Sequence, residues 1–155
     1  MDPIALLKKD HREVEQLFKD YEKAGDSAHA KKQGLFEEIR AALTVHMDIE
    51  ESIFYPAVKK IRDEEIKDEV READEEHHVV KMLLAELSKM KPQDEQFDAK
   101  MTVLKENIEH HVEEEEGDLF PDAKKNLSSE KLEDLGTRLE EKKATLQSST
   151  SATKA

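Results

Sequence analysis

His46-Met47-Asp48-Ile49-Glu50-Glu51, followed by Pro56, is repeated later in the chain as His111-Val112-Glu113-Glu114-Glu115-Glu116, followed by Pro121. Both copies read H-x-x-x-E-E-x-x-x-x-P. Each is preceded by a further histidine, His11 before the first and His77 before the second, and the second set of donors follows the first by 65 or 66 residues. Residues four apart on an α-helix stand on one face, a turn from each other, so each copy presents an imidazole beside a carboxylate. Two halves of the chain thus deliver the same three donor groups in the same order, as a metal site built by a duplicated helical hairpin would.

The apolar spacing around these residues predicts four long helices and a shorter fifth. Asp2 and Pro3 supply an N-cap and a first-turn proline, and Ile4, Leu7, His11, Val14, Phe18 and Tyr21 follow as one stripe until Gly25-Asp26-Ser27. The second stripe holds Ile39, Leu43, His46, Glu50, Ile53 and Ala57, with Pro56 expected to bend the helix late. In a helix from about Asp63 to Met90, Ile66, Val70, Ala73, His77, Val80, Leu84 and Leu87 form the third, closed by Lys91-Pro92. The fourth runs Phe97, Met101, Leu104, Ile108, His111, Glu115, Leu119, and Pro121 repeats the late proline. The fold class expected is all-α: an up-down-up-down four-helix bundle over 1–126, an additional short C-terminal helix over 127–147, and a disordered Ser/Thr/Ala-rich tail over 148–155.

Each long helix carries one histidine on its apolar stripe, whereas His29, His78 and His110 fall off the stripes. A helical position lands on the buried stripe roughly one time in three, so one seam histidine alone is an ordinary core residue. The two seam glutamates change that reading. A carboxylate inside an apolar seam costs several kcal/mol unless it is paired or metal-bound, and Glu50 and Glu115 each lie one turn after a histidine. In the absence of metal they are expected to take up protons or draw in water. With antiparallel neighbours and a rise of about 1.5 Å per residue, the four histidines reach one layer.

Four imidazoles and two carboxylates are too many donors for one tetrahedral ion and suit two metals bridged by the carboxylates. Iron, manganese, zinc and copper all accept such ligands, while calcium and magnesium prefer oxygen alone. The absence of cysteine excludes thiolate sites, iron–sulfur clusters and disulfides. A net charge of −13 disfavours nucleic acid and anionic membranes as partners. The N-terminus has no basic leader, and no apolar stretch approaches the ~20 residues of a membrane span, so the default expectation is a cytoplasmic protein, a monomer or weak homodimer.

The chain resembles the hemerythrin-like, or HHE cation-binding, family over about residues 3–125. The resemblance rests on Asp10-His11, His46-x-x-x-Glu50-Glu51 with Phe54-Tyr55-Pro56, Glu76-His77-His78, and His110-His111-x-x-x-Glu115-Glu116 with Leu119-Phe120-Pro121. It implies a non-haem centre of two Fe ions, oxo- or hydroxo-bridged, with His11, His46, His77 and His111 as terminal ligands and Glu50 and Glu115 as bridges. No catalytic residue beyond these ligands is implied. Oxygen-carrying members have a fifth histidine one turn after the third-helix ligand, where this chain has Lys81; Asp74, one turn before His77, is a weaker candidate for a replacement donor. Lacking that histidine, the chain is most similar to the four-histidine group, H…HxxxE…H…HxxxE. The resemblance then implies reaction with O2, hydrogen peroxide or nitric oxide, either with catalase- or peroxidase-like turnover or as a non-catalytic oxygen or iron carrier or sensor. Glu51, Glu76, Glu114 and Glu116 are candidates to orient the imidazoles from behind. Tyr21 and Tyr55 could donate a hydrogen bond or an electron near the metals, but ordinary packing with a wet hydroxyl is the first expectation for both.

Overall fold

The computed structural model describes residues 1–154, with side chains through 149. Its helices are α1 (Pro3–Lys23), α2 (His29–Ile49), α3 (Tyr55–Lys59), α4 (Glu64–Ser88), α5 (Phe97–Glu114), α6 (Phe120–Asn126) and α7 (Ser129–Lys154), with no strand among the described residues. α3 prolongs α2, and α6 prolongs α5, so the chain forms five rods, four of them the bundle. The predicted starts hold where a side chain enforces them: Asp2 accepts from the backbone N–H of Ile4 at 2.9 Å, and Asp63 caps α4 by accepting from Glu65 and Ile66. No described helix is long and apolar enough to cross a membrane.

The prolines are met by π-helical turns, Glu50–Phe54 before Pro56 and Glu115–Leu119 before Pro121. Proline has no N–H to offer the carbonyl four residues back, and its ring crowds that carbonyl. The preceding turn widens instead, and Tyr55 N–H bonds to the Glu50 carbonyl as Phe120 N–H does to that of Glu115. One extra residue per turn rotates everything beyond it. After Glu50 the buried face therefore runs through Phe54, Tyr55 and Val58, and Ala57, which a regular helix places on the seam, is only half-buried.

The apolar interior forms two clusters. One gathers Ile4, Leu7, Ile53, Phe54, Ile66, Val70, Leu119 and Phe120; the other gathers Val14, Phe18, Leu43, Met47, Val80, Leu84, Met101 and Ile108. On every bundle rod the seam histidine lies between residues of the two clusters, so a polar layer divides the core. The buried polar residues among those described are Asp10, His11, Lys32, His46, Glu50, His77, His111 and Glu115. All but Lys32 belong to that layer or touch it.

α7 is longer than the short helix expected to end near residue 147. Serine, threonine and alanine do not break a helix, no glycine or proline follows Gly136, and Leu135, Leu139 and Leu146 pack on the first cluster. Helix thus extends over 148–154, where composition alone suggests disorder; Ala155 lies outside the described residues. Gly136 has a packing reason: a Cβ there would stand 1.9 Å from the backbone oxygen of Met1. The start of the chain crosses α7 at that point.

Candidate metal centre

The structure brings His11, His46, Glu50, His77, His111 and Glu115 into one buried layer, with exposures of 0–4%. Among the described residues their donor atoms form two groups, His11, His46, Glu50 and Glu115 in one and Glu50, His77 and His111 in the other, each within 4.8 Å. Glu50 belongs to both. Its Oε1 is 3.0 Å from His46 Nε2 and 3.1 Å from His77 Nε2, while Glu115 Oε1 is 3.1 Å from His11 Nε2 and 3.2 Å from His111 Nε2. Each glutamate thus touches one imidazole from each half of the chain or from each end of the layer, the placement that bridging carboxylates need.

The donor set fits a pair of transition-metal ions. All four imidazoles aim Nε2 inward, and His46 Nε2 and Glu50 Oε2 are buried without a hydrogen-bond partner. His77 Nε2 and His111 Nε2 stand only 3.2 Å apart. Buried polar atoms are ordinarily satisfied; two orphaned donor atoms inside a cluster of inward imidazole nitrogens and carboxylate oxygens are what a cation would organise.

Behind each imidazole stands a carboxylate at Nδ1. His11 pairs with Glu116 at 2.7 Å, His46 with Asp10 at 2.9 Å, His77 with Glu51 at 2.9 Å and His111 with Glu76 at 2.7 Å. The two halves match residue for residue: the acid before the lone histidine holds the H-x-x-x-E histidine, and the acid after the seam glutamate holds the lone histidine of the other half. Such acceptors fix ring orientation and strengthen the inward nitrogen as a donor. Three of the four orienting candidates act in this way, whereas Glu114 pairs with the exposed His110 at 3.0 Å. Asp10 was legible in the sequence only as an acidic neighbour of His11.

Tyr55 departs from its sequence reading. Its hydroxyl is buried in the layer, donates to Glu115 Oε2 at 2.5 Å and to Glu50 Oε1 at 3.2 Å, and lies 3.3 Å from His77 Nε2. The π-turn at Glu50 swings it inward. Phe120 takes the matching place in the other half and stacks on His11 with ring centroids 5.7 Å apart. One end of the layer therefore has a hydroxyl where the other has a hydrocarbon ring. Lys81 leaves the layer and donates to Glu51 at 2.7 Å, and Asp74 is half-buried outside both donor groups. His78 and His110 are exposed and His29 is half-buried at the far end of the bundle.

In the metal-free protein the surroundings of His46 and His111 favour their protonated forms. Burial works against a charged His46, yet Glu50 and Asp10 raise its pKa to about 10, and Glu115 and its neighbours raise His111 well above its ordinary value in the same way. Burial alone would push the Glu50 carboxyl up, but His46 and the surrounding hydrogen bonds carry it well below the usual range. For Glu50 this runs against the uptake of a proton, one of the two outcomes expected when metal is absent: His46 and His111 are the groups whose protonated forms are favoured.

A pH dependence follows. A group whose pKa is raised by folding stabilises the fold fully below its unfolded value and loses that contribution as pH rises through the folded one. For His46 the window runs from about 6.5 to about 10. Chelator-stripped protein should melt at progressively lower temperature from pH 7 to pH 10, while metal-loaded protein should not, because metal takes the neutral imidazoles. Parallel melts of the two forms check this, and a flat profile for stripped protein would contradict it.

A helical bundle with histidines and glutamates converging in its core defines a cation-binding bundle. The chain belongs to the family described as the hemerythrin HHE cation binding domain, whose sequence pattern matches residues 2–123. It is 30% identical over 142 residues to a DNA nickase of Nostoc sp., covering 92% of this chain and 39% of that protein. Against an uncharacterized hemerythrin-like protein of Schizosaccharomyces pombe it is 30% identical over 125 residues, 79% of this chain and 59% of the relative. The chain therefore spans well under two thirds of either relative, and the nickase's activity is a statement about that longer protein. A crystal structure of an HHE cation-binding domain-containing protein from Mycobacterium kansasii superposes with a TM-score of 0.83 over 96% of this chain and 89% of that one, at 23% identity. That likeness establishes the same fold.

Proposed function

We propose that this chain is a non-haem di-iron protein that binds or reacts with O2, hydrogen peroxide or nitric oxide in the response to oxidative or nitrosative stress. His11, His46, His77 and His111 act as terminal ligands and Glu50 and Glu115 as bridges. The observation that carries this reading is the buried layer itself, two donor groups that share Glu50. Beside it a cavity of about 20 Å³ is lined by the four imidazoles, Asp10 and the apolar side chains of Val14, Leu43, Met47, Ile108 and Val112, room for about one water-sized molecule. Bound iron would supply one-electron redox chemistry and coordination positions for such a ligand.

The protein's own contribution is a proton and a shape. Burial first, and then Glu115 and Glu50, push the Tyr55 phenol well above its ordinary pKa, so its proton stays on the hydroxyl oxygen. Tyr55 thus holds a proton at the His77–His111 end, close to the two imidazoles that would hold one of the ions. The aliphatic walls exclude bulk water from the same space. Tyr55→Phe is accordingly expected to keep its metal but to lose on the order of a hundredfold in any proton-dependent turnover.

The functional test is to add O2, hydrogen peroxide and nitric oxide separately to anaerobically reduced, iron-loaded protein, following consumption and oxygen release. Sustained oxygen release from peroxide identifies an enzyme. One ligand held per centre without turnover identifies a carrier or sensor. Indifference to all three would overturn the proposal.

A further inference from the structure

Three imidazoles of the layer begin a three-part chain: imidazole, carboxylate, cation. Glu116 behind His11 is met by Arg12 and Glu51 behind His77 by Lys81 at 2.7 Å, whereas Glu76 behind His111 has the exposed ring of His110 at 3.6 Å. Asp10 behind His46 is met by Lys143, with Nζ 2.5 Å from Oδ1 while Oδ2 accepts from His46 Nδ1. Arg12 and Lys81 lie on the ligand-bearing helices. Lys143 lies on α7, outside residues 2–123 that the family pattern covers.

We infer that α7 is a working part of the centre and that Lys143 is a positioning residue which, through Asp10, sets the donor strength of His46. The inference rests on the layer being a metal centre, as proposed above. A carboxylate bonded to an imidazole N–H draws on that proton and makes the opposite nitrogen a stronger donor. A cation on the second carboxylate oxygen competes for the same negative charge and weakens the pull. The pair is well placed for this, since Asp10 is 7% and Lys143 19% exposed, where charges are screened less than at the surface. Nor does Asp10 alone hold Lys143. Leu135 and Leu139 seat α7 against the cluster containing Ile4, Leu7 and Phe54, so the packing of α7 is transmitted to one metal ligand by two hydrogen bonds.

The consequence has a definite sign. Removing the Lys143 charge leaves Asp10 uncompensated, makes His46 Nε2 the stronger donor and removes a positive charge from the neighbourhood; both effects favour the oxidised metal. In iron-loaded protein, Lys143→Met should have a lower midpoint potential, equivalent to roughly a tenfold change in the ratio of ferric to ferrous affinity. Lys143→Arg should stay near the parent, and Lys131→Met, an exposed lysine on the same helix, should not move it. The shift should shrink when Lys143→Met is made in an Asp10→Asn background, leaving only the direct effect of the lost charge. A potential equal to the parent's, or a shift that persists undiminished with Asp10→Asn, overturns the inference. A second reading needs no iron: in stripped protein, the His46 Nδ1 proton resonance should move downfield in Lys143→Met and in Lys143→Gln but not in Lys143→Arg, and an unmoved resonance also overturns it. Failure of the parent to hold iron would count against the metal centre and leave this resonance test to decide the role of Lys143.

Discussion

Replacing His46 or His111 by alanine is expected to lower iron affinity on the order of a hundredfold or more, while His29→Ala leaves it unchanged. Removing an outer carboxylate partner typically costs ten- to a hundredfold in metal affinity, and removing a ligand itself costs more. His46 and His111 each aim Nε2 at a shared glutamate from within the buried layer, whereas His29 lies off the layer at the start of α2. Metal analysis of the three purified variants beside the parent checks the ligand assignment. Equal metal content in all of them would remove it.

The second large effect concerns stability without metal. Glu50 is wholly buried, and in the stripped protein it is the carboxylate that balances the His46 imidazolium. Glu50→Gln should therefore destabilise stripped protein by about 3 kcal/mol near pH 7, as expected when one member of a buried charged pair is removed. For a domain of this size that corresponds to a fall in melting temperature of roughly 10 °C. The difference should shrink toward pH 10, where His46 loses its proton in the parent as well. A stripped variant that melts above the stripped parent at pH 7 would show that the buried charge, rather than its loss, is the burden.

Most of the fold and the six residues of the buried layer were legible in the sequence because both are written in one periodicity. Asp2, Asp63 and the apolar spacing locate the rods, and the same spacing puts His11, His46, His77 and His111 on the inward faces. Glu50 and Glu115 were legible because a carboxylate on an apolar stripe demands a reason. Tyr55 was not, because its inward position depends on the π-turn, which shifts the helical phase by one residue after Glu50. The turn had a local signal in Pro56, but a proline one residue away specifies a disturbed helix without saying which side chain it turns inward. The partners at Nδ1 were less legible still. Asp10, Glu51, Glu76 and Glu116 sit among many surface acids, and only the crossing of one half of the chain over the other selects them. Lys143 lies outside the repeat and carried no local signal at all.

The pairing of the two halves suggests why the site has two unequal ends. Each lone histidine is held by an acid from the opposite half, so neither hairpin completes its own set of supports. Tyr55 and Phe120 then differ at the one place where the halves face the shared glutamates, and Lys143 reaches only the His46 end. Chemistry that needs one closed and one accessible metal position would draw on such differences.

Anaerobic titration of stripped protein with ferrous iron, read as bound metal per chain, tests the central claim most directly. Two shared-glutamate donor groups predict a break at two equivalents, and loss of that break in His46→Ala. Saturation at one equivalent, or no tight binding at all, would contradict the account.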